Sequence, residues 1–189
     1  MSTTMVLFCA RCASSNEPSN RFCAGCGLPL GSTEADAKAV LDALGSYEFP
    51  DPSDGRVVAL ANDLVERSGF PSRPFGHGWR LIVPLALDRR QAVYVGLGGT
   101  DPEGRALLEL VSVCGPVNER DARVLLKLNA RMVEGHFAIK VLRGEEYFVV
   151  LRNIAAEAVP RLDAAGLARR IAETADGLED RLSRGRDLY

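Results

Sequence analysis

Four cysteines near the start of the chain constrain its fold more than any other feature of the sequence. They form two pairs with two residues inside each pair and ten between the pairs: Cys9, Cys12, Cys23 and Cys26. Structural zinc takes four ligands in a tetrahedron, and thiolates bind it strongly. Two disulfides or a redox dithiol are the alternatives, but a redox site needs only one such pair. The spacing therefore predicts one structural Zn²⁺ with a closed shell of four thiolates.

The residues around these cysteines resemble the short zinc ribbons that begin many bacterial proteins. Residues 22–27 read F-C-A-G-C-G, which is the form of the second cysteine pair in that group. The resemblance covers residues 5–31, and Ala13 departs from the glycine that many members have after the first pair. It implies a segment that binds protein or nucleic acid, or that simply folds.

The charge balance argues against nucleic acid or an anionic membrane as the main partner. The chain is 47% hydrophobic and 25% charged, with a formal net charge of -2. Residues 1–32 carry two arginines and one glutamate, and a net charge of +1 is little for nucleic-acid binding. Residues 1–10 lack the features of a signal peptide, and no apolar run is long enough to span a membrane. We expect a cytoplasmic protein whose thiols stay reduced.

Composition divides the chain into three parts. Residues 1–31 form the predicted zinc ribbon, and residues 32–54 form a linker with one short helix over residues 34–44. The linker ends in a stretch rich in proline and aspartate that breaks regular structure. Residues 55–189 then form a separate domain.

Apolar periodicity in this domain predicts the element order α-β-β-β-α-β-β-α. The predicted helices cover residues 57–68, 118–135 and 163–183, and the strands are centred on residues 79–87, 93–97, 107–114, 137–141 and 147–151. Gly69 is expected to end the first helix and Gly135 the second. Tight turns between successive strands require antiparallel pairing, so the fold class is α+β with helices on an antiparallel sheet. Four apolar side chains of the second helix are expected to face the core: Val124, Leu125, Leu128 and Met132.

One helix–hairpin segment is similar to the YbjN-like proteins and the type III secretion chaperone fold. Residues 125–131 read L-L-K-L-N-A-R and precede the strand at residues 137–139. The similarity covers residues 55–185 and rests on element order and this segment. It implies a homodimeric module that binds an extended or helical segment of another protein in apolar grooves.

The residues themselves are compatible with such a module. A strand face that is apolar on one side and has an exposed edge can bind peptides by strand addition or through side-chain pockets. The aromatic candidates for contact with a partner are Trp79, Tyr94 and Tyr147. Packing in the core or at its rim is the simpler explanation for each ring taken alone.

The sequence offers little for catalysis. The chain has two histidines, His77 and His136, and each is most simply a turn residue. Cys114 follows Val113 in an apolar strand, which favours a buried thiol over a nucleophile. Residues 96–99 lack the helix and lysine of a phosphate loop and are predicted to form a hairpin turn. We therefore predict a non-enzymatic adaptor or chaperone-like protein with structural zinc; a nucleic-acid-linked regulator that uses the ribbon is the alternative.

Overall fold

The computed structural model describes residues 7–8, 15–17, 20, 48–52, 54–86, 88–117, 119–142 and 144–184. All four predicted zinc ligands and the predicted helix over residues 34–44 lie outside the described residues. Within the predicted ribbon, the described strands β1 (Leu7–Phe8) and β2 (Ser15–Asn16) pair antiparallel.

A six-stranded antiparallel sheet forms the centre of the described fold. Its strands are β3 (Ser72–Phe75), β4 (Gly78–Pro84), β5 (Arg90–Thr100), β6 (Ala106–Pro116), β7 (His136–Leu142) and β8 (Glu145–Ala155). They lie in the order β3-β4-β5-β6-β8-β7, and each neighbouring pair is antiparallel. This arrangement confirms the predicted α+β class and leaves β3 and β7 at the two edges of the sheet.

Three described α-helices and a 3-10 helix accompany the sheet: α1 (Gly55–Ser68), α2 (Glu119–Asn129), α3 (Ala164–Arg184) and the 3-10 helix Ala156–Arg161. α1, α3 and the 3-10 helix pack on one face of the sheet, called here the helix face. Leu110 and Val150 on this face are fully buried against α3 residues such as Ile171. Each such side chain contributes on the order of 2 kcal/mol to folding through burial.

The opposite face of the sheet, called here the second face, has a separate buried cluster that includes Tyr94, Val111 and Val149. Side chains alternate between the two faces along each strand. Phe49, which belongs to the predicted linker over residues 32–54, is 3% exposed and packs in this cluster. The end of the predicted linker is therefore part of the folded domain.

Two details of the sheet differ from the sequence prediction. The sequence does not predict β3, because its four residues, S-R-P-F, lack apolar alternation and include a proline that suits an edge strand. The predicted hairpin turn at residues 96–99 is wrong, because these residues continue β5 to Thr100. A bulge between Leu97 and Gly99 absorbs the register shift.

The second predicted helix also ends earlier than expected. α2 ends at Asn129, not at Gly135, and the side-chain amide of Asn129 bonds to the backbone of Phe137. Leu125 is buried as predicted. The prediction that Val124 faces the core is wrong, since this side chain is 48% exposed.

Two glycines, one just after a helix and one inside a helix, are expected to change stability in opposite directions when replaced by alanine. Gly69 ends α1 with a φ of 68°, and its N–H donates to the Glu66 carbonyl at 3.1 Å. Gly69→Ala is expected to lower the free energy of unfolding by about 1 kcal/mol, because a Cβ disfavours positive φ.

Gly177 lies inside α3 with open space at its Cβ position. Gly177→Ala is expected to raise the free energy of unfolding by about 0.5–1 kcal/mol. Urea denaturation checks both, and effects of the same sign would contradict this description.

Candidate functional site

Exposed apolar side chains in the described part of the chain concentrate on α2 and β7. Six large apolar side chains are exposed among all the described residues. Four of these six lie on α2 or β7: Val124, Leu126, Ile139 and Val141. Leu126 is 70% exposed and Val141 is 64% exposed. Single exposed apolar residues are ordinary on a protein surface, but a cluster on adjacent elements indicates an interaction site.

An apolar groove of about 190 Å³ runs between α2 and β7. Its lining comes from α2, β7 and β8: Ala122, Leu125, Leu126, Phe137, Ala138, Ile139 and Phe148. Leu125 is 4% exposed and holds the helix against the sheet, while Leu126, the next residue, points away from that contact. We call this feature the α2–β7 groove.

The outer edge of β7 runs beside this groove with its backbone groups turned outward. The outward backbone groups of Phe137 are bonded to the side chain of Asn129. Asn129 Nδ2 donates to the Phe137 carbonyl at 2.9 Å, and the Phe137 N–H donates to Asn129 Oδ1 at 2.7 Å. In an antiparallel strand both backbone groups of a residue point to one side, and alternate residues share that side. The N–H and C=O groups of Ile139 and Val141 therefore also point outward. No described strand lies beyond β7 to pair with them.

Charged side chains of both signs surround the groove. Arg123 and Lys127 are exposed on α2, three residues before and one residue after Leu126. Glu145 and Glu146 are exposed at the start of β8, and Glu146 lies opposite Val141 in the strand register. This mixture does not form the basic surface that a nucleic acid requires.

The structure does not bring the three predicted aromatic contact residues together. Tyr94 and Tyr147 are 1% and 8% exposed in the second-face cluster. Trp79 is half-buried on the helix face, and its indole N–H donates to Asn62 Oδ1 at 2.8 Å. Trp79 also lines a separate cleft of about 390 Å³ near His77.

Sequence reasoning missed the groove residues, although α2 carried a signal for them. Val124, Leu125, Leu126 and Leu128 spread over more than half of the helix circumference, whereas a helix that buries one face has a narrower apolar stripe. Three consecutive apolar residues cannot all face the same core. At least one of them had to be exposed or to serve another contact.

Titratable groups elsewhere in the described residues do not form an obvious catalytic site. His77 Nδ1 lies 3.6 Å from Asp51 Oδ1, and both side chains are largely exposed. Burial raises the pKa of the Cys114 thiol, and the nearby Glu179 carboxylate raises it further. This thiol is therefore protonated and unreactive at neutral pH.

The described residues show neither a metal site nor a membrane-spanning helix. They contain no group of three or more histidine, cysteine, aspartate or glutamate side chains placed to hold a metal ion. Among the described helices, none has both the length and the apolar character needed to cross a membrane.

Comparison with known proteins gives no family assignment. No family model matches the chain, and no curated protein matches it. The candidate site is therefore defined by its geometry, as an open apolar groove beside the outward-facing backbone of an edge strand.

Proposed function

We propose that this protein is a non-enzymatic adaptor or chaperone-like protein that binds a segment of another protein at the α2–β7 groove. The observation that carries the proposal is an open apolar groove whose lining includes the exposed side chains of Leu126 and Ile139, with exposed Val124 and Val141 on the same two elements. A bound apolar segment would remove this surface from water, and each large side chain buried contributes on the order of 2 kcal/mol. The resemblance of residues 125–131 to YbjN-like proteins supports the same class of function.

The partner segment binds in an extended conformation as an added strand along β7. Its backbone pairs with the outward N–H and C=O groups of Ile139 and Val141, and alternate side chains enter the groove beside Leu126. Pairing stops at Phe137, because Asn129 already occupies the backbone groups of that residue. The partner therefore needs alternating apolar residues over a short extended stretch.

The predicted zinc ribbon is a separate part of this proposal. Cys9, Cys12, Cys23 and Cys26 hold one structural Zn²⁺, which stabilises the fold of residues 1–31 and takes no part in chemistry. Elemental analysis of purified protein that has not been treated with chelator is expected to find equimolar zinc.

The substitution Leu126→Glu is expected to weaken partner binding by at least roughly tenfold, because it places a charge against the apolar lining of the groove. The partner is first captured from the native host by crosslinking and identified by mass spectrometry. Its affinity for purified wild type and for Leu126→Glu is then measured by calorimetry. Leu126 is 70% exposed, so the substitution should change the free energy of unfolding by less than about 0.5 kcal/mol.

Val133→Glu is the matched control for this experiment. Val133 is 95% exposed and lies in the turn after α2, outside the α2–β7 groove. It receives the same charge and is expected to bind the partner with wild-type affinity. Equal affinities for wild type, Leu126→Glu and Val133→Glu would rule out the groove as the partner site.

The same variants test the predicted homodimer. Light scattering after size exclusion gives the mass of each protein in solution. If Leu126→Glu turned a dimer into a monomer and left heterologous binding unchanged, the groove would be assigned to a second copy of this chain.

A further inference from the structure

The cleft near His77 opens on the helix face, between α1 and the hairpin that β3 and β4 form. α1 contributes Val58 and Asn62, which lie one helical turn apart, and the hairpin contributes His77 and Trp79. Its volume is about 390 Å³. Sites that bind small molecules have volumes of about 300–1,000 Å³ and are mostly apolar with a few polar groups. The cleft therefore has the size of a small-molecule site.

Most of the cleft lining is apolar. Leu97 and Leu108, from β5 and β6, line it and also belong to the core on the helix face. Val58 on the α1 side is 39% exposed, although it is a large apolar side chain. A ligand that covers Val58 and the Trp79 ring removes this apolar surface from water, which favours binding. The main part of a fitting ligand is therefore apolar.

Asn62 offers hydrogen-bond donors to a ligand in this cleft. An indole N–H can only donate, so Trp79 fixes the amide oxygen of Asn62, Oδ1, at 2.8 Å from Trp79 Nε1. The amide nitrogen, Nδ2, is left with two hydrogens, and it donates to no group among the described residues. A ligand that fits the cleft therefore needs an oxygen that accepts a hydrogen bond from Asn62 Nδ2.

The charges along the cleft favour an uncharged ligand. Asp51 brings a carboxylate to the lining, and the described lining residues include no lysine or arginine, so an anion would be repelled. The Asp51 side chain is 79% exposed, and its Oδ1 lies 3.6 Å from His77 Nδ1. An ion pair at so exposed a carboxylate contributes little, so a positive charge on the ligand would add little affinity.

We propose that the cleft between α1 and the β3–β4 hairpin binds a small, uncharged and mostly apolar molecule whose oxygen accepts a hydrogen bond from Asn62 Nδ2. The apolar part of this molecule lies against Val58, Leu97 and the Trp79 ring. The cleft shares no lining residue with the α2–β7 groove, so the proposal does not depend on the proposed function.

Acetophenone is the probe for this site, because it has an apolar ring and a carbonyl oxygen but no hydrogen to donate. The chain has one tryptophan, so the Trp79 indole N–H gives a single cross-peak in the ¹H–¹⁵N NMR spectrum of the full-length protein. Acetophenone is expected to shift this cross-peak with a Kd on the order of 1 mM. Benzoate, which has a similar size but a negative charge, is expected to bind at least roughly fivefold more weakly.

The substitution Asn62→Asp removes the donor and leaves the shape of the cleft unchanged. Aspartate has nearly the same size as asparagine, and one of its oxygens still accepts from the Trp79 indole N–H, but it has no side-chain N–H to donate. The acetophenone oxygen would then face a second acceptor. We expect this variant to bind acetophenone at least roughly tenfold more weakly than wild type does.

The substitution Val58→Phe is a second test, which fills part of the cleft and changes no hydrogen bond. It is expected to weaken acetophenone binding at least roughly tenfold, because the larger ring occupies the space of the probe. Val124→Phe is the matched control, since Val124 is 48% exposed on α2, outside the cleft, and wild-type affinity is expected. Circular dichroism shows which variants fold.

Three results would overturn the proposal. The first is an unshifted Trp79 cross-peak when acetophenone is added to wild type, and the second is benzoate binding as tight as that of acetophenone. The third is wild-type affinity for acetophenone in Asn62→Asp or, should that variant not fold, in Val58→Phe.

Discussion

Replacing Phe49 by alanine is expected to lower the free energy of unfolding by about 3–5 kcal/mol. Phe49 is 3% exposed, and it packs against the backbone of strands at Gly78 and Gly96. The hydrogen-bonded strands cannot move into the space that the ring leaves, so a cavity remains. Urea denaturation followed by circular dichroism measures the loss of stability.

The residue before Phe49 provides the control for this measurement. Glu48 is exposed, and Glu48→Ala should change the free energy of unfolding by less than about 0.5 kcal/mol. Gly96→Ala should also destabilise the protein, because its Cβ would collide with the Phe49 ring. In the double variant the two costs should not add, because removing the ring makes room for the new methyl group. A cost for Phe49→Ala no larger than that for Glu48→Ala would show that this segment does not belong to the core.

The substitution Val141→Pro is expected to weaken partner binding by about 3 kcal/mol, which corresponds to a roughly hundredfold increase in Kd. The Val141 N–H points to the outer edge of β7, so proline removes a donor that an added strand needs. The pairing of β7 with β8 keeps its hydrogen bonds, and proline is tolerated on edge strands for this reason. Calorimetry with the identified partner measures the effect.

Val141→Ala separates the backbone contribution from that of the side chain. Alanine keeps the outward N–H and loses only part of an apolar contact, so we expect a weakening of roughly fivefold. Circular dichroism and thermal unfolding establish that both variants retain the wild-type fold. If proline and alanine weakened binding equally, the partner would use the groove without adding a strand.

Local signals explain why part of the fold was predictable from the sequence. Asp54 accepts a hydrogen bond from the Arg56 N–H at 2.8 Å and so begins α1, and Gly69 ends it. Alternating apolar residues marked the strands that lie beneath the helices. These features depend on near neighbours in the chain, so the residues alone are enough to find them.

Long-range features escaped the sequence. Phe49 appeared to belong to a linker because prolines and aspartates follow it, and its burial depends on glycines in two distant strands. At the early end of α2, the Asn129 side chain bonds to Phe137, eight residues later, a contact that local periodicity does not reveal. Tyr94 was a candidate contact residue because a strand aromatic can face either way, and its burial in the second-face cluster appears only in the folded sheet.

Finding the candidate site requires both the local sequence pattern and the long-range arrangement of the strands. The apolar residues of α2 and β7 are visible in the sequence, but their exposure depends on where β7 lies in the sheet. β7 follows β6 in the chain, yet it pairs with β8 and occupies an edge. A strand with this composition in the middle of the sheet would be core, whereas at the edge it is available to a partner.

Residue-specific hydrogen exchange by NMR, with and without the identified partner, measures strand addition at β7 most directly. We expect the amide hydrogens of Ile139 and Val141 to exchange much more slowly in the complex, while the Phe137 amide, already bonded to Asn129, changes little. Protection elsewhere on the protein, with Ile139 and Val141 exchanging as fast as in the free protein, would contradict strand addition at β7.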